Sequence, residues 1–307
     1  MALSGEDKKR RKFSFRTYPS VNPWLAFLGT VPVLVSIIVF GVLPASLTIV
    51  MSFTDYDGNW ATADFVGLKN YFNFFTVLKT DVFSYLWTTL KYALFTILPL
   101  QILAVSAALL VNKNFFGRSF FRSLFFMPNI LGSTVIALVW KMMFDPISGP
   151  FAQMLASFGK NSAFFGDPDI SLWLISIVTL WSGFGFHMTI YLAGLQGISR
   201  EYYEAAEIDG ANGWNRFVYI TVPLLRQSVT ICLWMAISGT LGMSDMVLLI
   251  TSGNYNTKTF AFFLYDITIK GSMNAGQIAT LNLYYFVLTT TIMLTYNHFF
   301  RKKEVEL

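Results

Sequence analysis

Between two long apolar runs the chain reads EYYEAAEIDGANGWNRFVYITVPLL over residues 201–225. Strong helix formers over residues 200–208 predict a first short helix. That helix should end at Gly210, because glycine readily takes the left-handed backbone angle that stops a helix. A second short helix is predicted to begin near Asn212 and to stop before Pro223. The segment is therefore predicted to be two helices around a bend.

The composition of the chain excludes most soluble proteins. Of its 307 residues, 54% are hydrophobic and 13% are charged, whereas a soluble domain carries about 25% charged residues. Too little polar surface is present to cover a water-soluble enzyme, and the aromatic content excludes a disordered chain. One Cys and two His leave neither a disulfide framework nor an ordinary zinc site. The chain is predicted to be a polytopic membrane protein.

Six apolar segments approach the length needed to cross a bilayer, which is about 20 residues. The predicted spans are about 24–52, 84–111, 123–143, 170–199, 227–249 and 271–300. The fold class is therefore an all-α integral membrane protein with six transmembrane helices over residues 24–300. Residues 1–23 and 301–307 are predicted to be tails, and residues 200–226 form the loop between spans 4 and 5.

The positions of Lys and Arg predict the orientation of these spans. Roughly two thirds of the 22 basic residues precede span 1, follow span 6, or lie between spans 2 and 3 or spans 4 and 5. Basic loops stay on the cytoplasmic side, so both tails and the 200–226 loop are predicted to be cytoplasmic. The basic run over residues 8–12 could bind nucleic acid, but no aromatic-basic platform accompanies it, and no nucleic-acid partner is expected.

The 200–226 loop also has the features of a docking element. Ala205 and Ala206 are small enough to let another surface approach, and Glu204 and Asp209 can pair with basic groups. An apolar stripe at helical spacing, which suits docking into a groove, consists of Trp214, Phe217 and Val218.

The spacing in this loop closely resembles the EAA loop of the membrane subunits of bacterial ATP-binding-cassette importers. That family's pattern is Glu-Ala-Ala, three residues, Gly, nine residues and Ile-x-Leu-Pro. Here the chain has, at the same spacing, Glu204-Ala205-Ala206, Gly210, Ile220 and Pro223, with Val222 in place of Leu. Other segments, including residues 22–53, 66–71, 122–128 and 191–196, are similar to the first-permease subunit of sugar and glycerol-phosphate importers.

The resemblance implies a transport subunit that imports a carbohydrate by alternating access in the bacterial plasma membrane. It assigns ATPase coupling to Glu204, Ala205, Ala206, Asp209, Gly210, Trp214, Phe217 and Pro223. The implied partners are a second homologous permease, two ATPase subunits, an extracellular sugar-binding protein and membrane lipid. The chain contains no GxxxxGK[ST] phosphate loop, so ATP and Mg²⁺ are expected on the ATPase subunits and no cofactor or metal is expected in this chain. After Thr251 the family usually has Gly-Gly-Pro, whereas this chain has Ser-Gly-Asn, which leaves the sugar open.

Small and polar residues near the centres of spans 4 and 5 predict where a sugar passes, because transporter sites lie near the bilayer midplane. They repeat at helical spacing and include Thr179, Ser182, Gly183 and Phe186 on span 4 and Gly239, Thr240 and Met243 on span 5. The alternative is that small residues permit close helix packing, and both interpretations stay open. For His187 and Asp245 two interpretations are also open: the side chain contacts the substrate, or it makes a structural hydrogen bond to a neighbouring helix.

Other functions predict different sequence features. An importer of glycerol phosphate would place Arg or Lys on the cavity face, and neither midplane set contains one. A self-sufficient channel or secondary carrier would need no docking loop. A membrane-embedded enzyme would need catalytic residues clustered at one depth, which this sequence does not supply.

Overall fold

The computed structural model describes residues 23–77 and 79–301. The predicted N-terminal and C-terminal tails, 1–23 and 301–307, lie almost entirely outside the described residues. The part of the chain that is described consists of helices and short connections, with one isolated bridge between Thr54 and Phe65.

The first apolar segment is one uninterrupted helical run. It consists of α1 (Pro23–Ile37), a π-helical turn (Ile38–Val42) and α2 (Leu43–Ser52). Most of its apolar side chains are exposed around the whole helix, as in a helix that faces lipid. The residues from 27 to 52 are long and apolar enough to cross a membrane.

The remaining chain forms thirteen further α-helices within the described residues. They are α3 (Lys69–Val77), α4 (Lys79–Asn112), α5 (Arg118–Phe126), α6 (Ser133–Met143), α7 (Pro150–Ser157), α8 (Ser171–Gln196), α9 (Arg200–Ile208), α10 (Gly213–Arg216), α11 (Val222–Leu224), α12 (Arg226–Gly242), α13 (Asp245–Ile250), α14 (Phe260–Lys270) and α15 (Ala275–Arg301).

Helices α4 and α8 pack together to form the centre of this body. Ala104 and Ala108 are fully buried on α4 and belong to the same apolar cluster as Tyr191 of α8. Small side chains let the two backbones approach, which favours helix association in lipid. The Tyr191 hydroxyl donates to Gln101 Oε1 at 2.6 Å, and the Gln101 amide donates to the carbonyl of Cys232 on α12 at 3.5 Å. Three helices are thus joined at one point.

The described residues contain four helices long and apolar enough to span a membrane, and six spans if each of two bent helix pairs counts as one. The long helices include most of α4, all of α8 and most of α15. This arrangement confirms the predicted all-α, multi-pass membrane fold.

The third predicted span, 123–143, differs from a single straight helix. Helix α5 and the 3₁₀ turn after it (Met127–Ile130) make an angle of 100° with α6. Pro128 has no N–H to continue the helix, and Leu131 and Gly132 have extended ψ angles of 138° and 148°. The chain therefore turns sharply within this segment.

The fifth predicted span, 227–249, is also interrupted, because α12 ends at Gly242. Met243 has an extended ψ of 115°, and α13 begins at Asp245. Asp245 therefore lies in the first turn of a short helix, where a carboxylate interacts favourably with the helix dipole. Asp245 lies inside the predicted span 227–249 but begins a separate short helix instead of continuing α12.

Candidate functional site

Helix α9 in the predicted docking loop begins and ends with specific hydrogen bonds. At its start Ser199 Oγ accepts from the Glu201 N–H at 3.4 Å. At its end the Gly210 N–H donates to the Glu207 carbonyl at 3.1 Å and the Ala211 N–H to the Ala206 carbonyl at 2.9 Å. These paired bonds form a Schellman motif, which needs a left-handed residue, and Gly210 supplies it with a φ of +76°. The predicted end of the first loop helix is confirmed.

The second loop helix begins as predicted but extends further. Asn212 Oδ1 accepts from the Asn215 N–H at 2.9 Å and caps the helix. The helix then continues through α10, a π turn (Phe217–Thr221) and α11 to Leu224, so the predicted stop before Pro223 was wrong. Pro223 is the second residue of α11, immediately after the π turn, so the helical hydrogen bonding is irregular where proline has no N–H to donate.

Two side-chain contacts join the two helices of this loop. Arg216 Nη1 lies 3.4 Å from Glu207 Oε2. The hydroxyls of Tyr203 and Thr221 share a hydrogen bond of 3.0 Å, and Thr221 is buried. The second contact is the stronger constraint, because the ion pair is largely exposed to solvent and such pairs contribute little. The loop is built as one compact unit.

The outer surface of the loop carries both acidic and apolar groups, and the predicted coupling residues contribute to both kinds. Glu204 and Ala205 are exposed, whereas Ala206 and Phe217 are partly covered. Trp214 is 71% exposed, and its ring centroid lies 5.7 Å from that of Phe217. Asp209 and Gly210 are exposed at the bend, and Pro223 is exposed near the end of the second helix.

Sequence reasoning missed two large side chains of this surface. Ile208 and Tyr219 are 88% and 77% exposed. Ile208 is apolar and Tyr219 is amphipathic, and both lie in a loop expected to face water. Large apolar side chains in such a loop indicate a contact surface for another protein. They enlarge the docking surface on either side of the bend.

The loop is attached to the membrane body by close contacts at both of its ends. A Cβ atom on Gly194, near the end of α8, would lie 2.1 Å from Ser228 Oγ on α12. Leu225 is buried at the 66° bend that separates the second loop helix from α12. Helices α8 and α12 are therefore in tight contact where they enter and leave the loop.

The predicted path residues of α8 do not share one environment. The Thr179 hydroxyl shares a 2.9 Å hydrogen bond with the hydroxyl of buried Tyr92 on α4, and Ser182 donates to the Thr179 carbonyl at 3.0 Å. Gly183 borders open space, since a Cβ there would have no neighbour within 4 Å. Phe186 is partly buried with its ring edge-on to His187. Only part of this helix face is open.

The corresponding residues of α12 are divided in the same way. Gly239 is exposed, and a Cβ atom added to it would also have no neighbour within 4 Å. Thr240 is buried and donates to the Ala236 carbonyl at 2.8 Å. Met243 lies after the helix end and packs against the cluster that contains Tyr92. The expectation that Met243 continues the α12 helix face was wrong, while the role of these residues in substrate passage stays a prediction.

His187 is a buried side chain whose Nδ1 lies 3.2 Å from the Gly183 carbonyl. Its Nε2 is buried and has no hydrogen-bond partner among the described atoms, so both interpretations of His187 stay open. Within residues 23–77 and 79–301, no three His, Cys, Asp or Glu side chains are grouped so that they could hold a metal ion.

A cleft between α12 and α15 lies outside the predicted path residues. Its volume is about 320 Å³, and polar groups line it beside apolar ones. The lining residues with hydroxyl groups are Ser238, Tyr285, Thr289 and Thr290. The run of three threonines at 289–291 in an apolar span was the signal that could have indicated it.

Comparison with known proteins gives consistent relationships over almost the whole chain. Residues 101–305 match the family described as the binding-protein-dependent transport system inner membrane component. A probable starch degradation products transport system permease protein from Thermoanaerobacterium thermosulfurigenes is 27% identical, covering 92% of this chain and 95% of that protein. A lactose transport system permease protein from Rhizobium radiobacter is 28% identical, covering 95% and 97% of the two chains.

One solved structure has the same fold over a similar length. It is a bacterial alginate ABC transporter in complex with an alginate pentasaccharide-bound periplasmic protein. A chain of that structure superposes with a TM-score of 0.80 at 21% identity, covering 91% of this chain and 95% of that one.

Proposed function

Because this chain belongs to the family of binding-protein-dependent transport system inner membrane components, we propose that it is the permease subunit of an ATP-driven carbohydrate importer. The observation that carries the proposal is the loop formed by α9 to α11. Its helices are joined by the Tyr203–Thr221 hydrogen bond, and its outer surface exposes large apolar side chains such as Ile208 and Trp214 beside the carboxylate of Glu204. Such a unit suits docking of a separate subunit.

The loop couples a partner's movement to the membrane helices. When ATPase subunits close or open, Trp214 and the residues around Glu204 remain in contact with them, and the loop turns as a near rigid body. The close contact of Gly194 with Ser228 then passes that rotation to α8 and α12. These helices border the open space beside Gly183 and Gly239, so their rotation changes access to it.

The energy source is assigned to other subunits. The sequence holds no phosphate loop, so this subunit is not expected to hydrolyse ATP, and ATP with Mg²⁺ binds to two ATPase partners. A second homologous permease and an extracellular sugar-binding protein complete the proposed complex. The periplasmic protein in the alginate transporter structure supports the last of these partners.

A neutral carbohydrate is the substrate that the observations favour. The relatives are named for starch degradation products and lactose, and Thr179 and Ser182 of the proposed path carry hydroxyl groups. An importer of glycerol phosphate is the second candidate, but no Arg or Lys lies among the proposed path residues of α8 and α12. A phosphate ester would need such a group.

Both termini are assigned to the cytoplasm, because the basic loops fall on the same side as the docking loop. The protein is then a multi-pass component of the bacterial plasma membrane. This orientation exposes the docking loop to cytoplasmic ATPases.

Uptake by the complete complex in lipid vesicles tests the proposal. The complex should accumulate a labelled sugar when its binding protein and internal ATP are present. Glu204→Lys should abolish uptake, because the substitution reverses the charge on the docking surface. Asp169→Lys, a charge reversal at an exposed residue just before α8, is the matched control and should transport normally. Parental uptake and ATPase co-purification by the Glu204→Lys complex would show that the loop assignment is wrong.

A further inference from the structure

A basic pocket lies beside the docking loop, where several helices begin or end. Its volume is about 430 Å³. Asn112 is the last residue of α4 and Gln196 the last of α8, while Arg118 and Arg200 are the first residues of α5 and α9. Since α4 and α8 are membrane-spanning helices, a pocket at their ends lies at the level of the membrane surface.

Three guanidinium groups give this pocket its charge. Arg118, Arg122 and Arg200 line it, and no Asp or Glu is among the described residues that line it. In the described part of the chain, none of the three is in an ion pair with a carboxylate. An uncompensated cluster of this kind attracts an anion.

One of these guanidinium groups has an unused donor. Arg122 Nη2 donates to the Val111 carbonyl at 2.9 Å, which holds the side chain in place. Arg122 Nε is buried and has no hydrogen-bond partner among the described atoms. A buried donor without an acceptor is costly, and a bound oxyanion would remove that cost.

The helix that carries two of these arginines has an apolar side suited to lipid. Arg118 and Arg122 are one turn apart on α5, whereas Phe120 and Leu124 are exposed on another side, at 65% and 44%. Phe116, just before α5, is completely exposed. Since α5 is bent by 100° from α6, it does not continue the direction of α6. Interfacial helices have this division of basic and apolar sides.

We propose that the pocket binds the phosphate headgroup of an anionic phospholipid. Guanidinium groups bind phosphate oxygens through paired, charge-assisted hydrogen bonds, and basic pockets between spanning helices suit lipid headgroups. The exposed Phe116 and Phe120 contact the acyl chains, which favours a lipid over soluble phosphate. The proposed function enters only in placing the pocket on the cytoplasmic side.

The bound lipid would stabilise the attachment of the docking loop. Arg200 and Tyr203 of α9 line the pocket opposite Arg118 and Arg122 of α5. Tyr203 also bonds to Thr221 in the second loop helix. A headgroup held between α5 and α9 therefore bridges the membrane-surface helix and the loop.

The test measures lipid retention in the purified full complex by native mass spectrometry, together with its melting temperature in phosphatidylglycerol and phosphatidylcholine nanodiscs. The parental complex should retain phosphatidylglycerol and melt at a higher temperature in that lipid. Arg118→Gln and Arg200→Gln should each weaken retention about tenfold, as expected for one lost charge-assisted hydrogen bond. Both variants leave the Arg122–Val111 bond intact, so they should fold.

Lys113→Gln is the matched control, because Lys113 is an exposed cation in the same connection but does not line the pocket. It should retain the lipid as the parental complex does. Equal losses in Lys113→Gln and Arg118→Gln, or unchanged retention in both arginine variants, would overturn the proposal. Stabilisation by inorganic phosphate in phosphatidylcholine nanodiscs, equal to that by phosphatidylglycerol, would show that the ligand is a soluble anion. These readouts need no transport, so they do not depend on the proposed function.

Discussion

Gly210 shows how one residue sets the geometry of the docking loop. Its φ of +76° costs most other residues about 1–2 kcal/mol, and its N–H bonds to the Glu207 carbonyl. Gly210→Pro should abolish uptake in vesicles, since proline cannot take this angle or donate this bond, and Gly210→Ala should reduce uptake partially. Gly213→Ala should have little effect. Gly213 is the first residue of α10, and a Cβ atom added to it would have no neighbour within 4 Å. Parental uptake by Gly210→Pro would contradict this account.

The negative charge of Asp266 stabilises α14, the helix that precedes the last span, through ion pairs with Lys258 and Lys270. Burial acts to raise its pKa, but hydrogen bonds from Lys258 at 2.8 Å and Lys270 at 2.7 Å outweigh burial and hold that pKa below its usual range. Its contribution to stability is therefore complete above the ordinary pKa of 3.8 and is lost as the pH falls below that value.

Asp266→Asn should lower stability at neutral pH by about 1–2 kcal/mol, less than for a fully buried pair because Lys270 is exposed. It should also flatten the fall in melting temperature on acidification. The control is Asp169→Asn, at an exposed position outside these ion pairs. Melting curves of the complex from neutral pH to below pH 4 would measure both effects. Equal acid sensitivity of the parental and Asp266→Asn proteins would exclude this role.

At the scale of whole elements, long apolar helices could be predicted and their interruptions could not. The apolar run at 170–199 gave α8 to within a few residues. The end of α12 at Gly242 depends on distant residues, since Thr259 donates to the Met243 carbonyl and Tyr285 to the Leu241 carbonyl. Carbonyls at a helix end need such partners, and a local hydrophobic pattern contains no information on them.

The two helices of the docking loop should behave as one element because Tyr203 and Thr221 are hydrogen bonded. Tyr203→Phe and Thr221→Val should each lower the thermal stability of the complex. The double variant should lose less stability than the sum of the two single losses, with a coupling free energy of about 0.5–1.5 kcal/mol. Thr230→Val replaces Thr221→Val in the control cycle, since the Thr230 hydroxyl donates to the Arg226 carbonyl within its own helix. The stability losses of Thr230→Val and Tyr203→Phe should therefore be additive. Strict additivity in both cycles would show that the loop helices are not coupled.

At the scale of the whole molecule, the topology is a separate test. Reporter fusions after residues 60, 155 and 258 should report an extracytoplasmic location, and fusions after residues 115 and 212 a cytoplasmic one. The reason is the distribution of basic residues between the loops. If a fusion after residue 212 reports an extracytoplasmic location, the docking loop is on the opposite side of the membrane from the proposed ATPase subunits. That result would contradict the proposed mechanism.

The docking loop and the substrate path were predictable to different extents for a physical reason. A loop motif has fixed spacing within one segment, so Glu204, Gly210 and Pro223 could be identified locally. A path through the membrane depends on which faces of several helices remain unpacked. Thr179 has the same helical spacing as Gly183, yet its hydroxyl is bonded to Tyr92, while Gly183 borders open space.

The glycines beside open space provide the decisive test of the path. Gly183→Trp and Gly239→Trp should block sugar uptake in vesicles, because each indole would enter space that the chain leaves empty. Assembly with the ATPases should persist, since neither substitution displaces a neighbour within this chain. Gly185→Trp is the contrasting variant, because a Cβ on Gly185 would lie 1.9 Å from the Phe125 carbonyl oxygen and should prevent assembly. Unimpaired uptake by both path variants would move the path to the cleft between α12 and α15, and loss of assembly in both would show that these glycines are helix-packing positions.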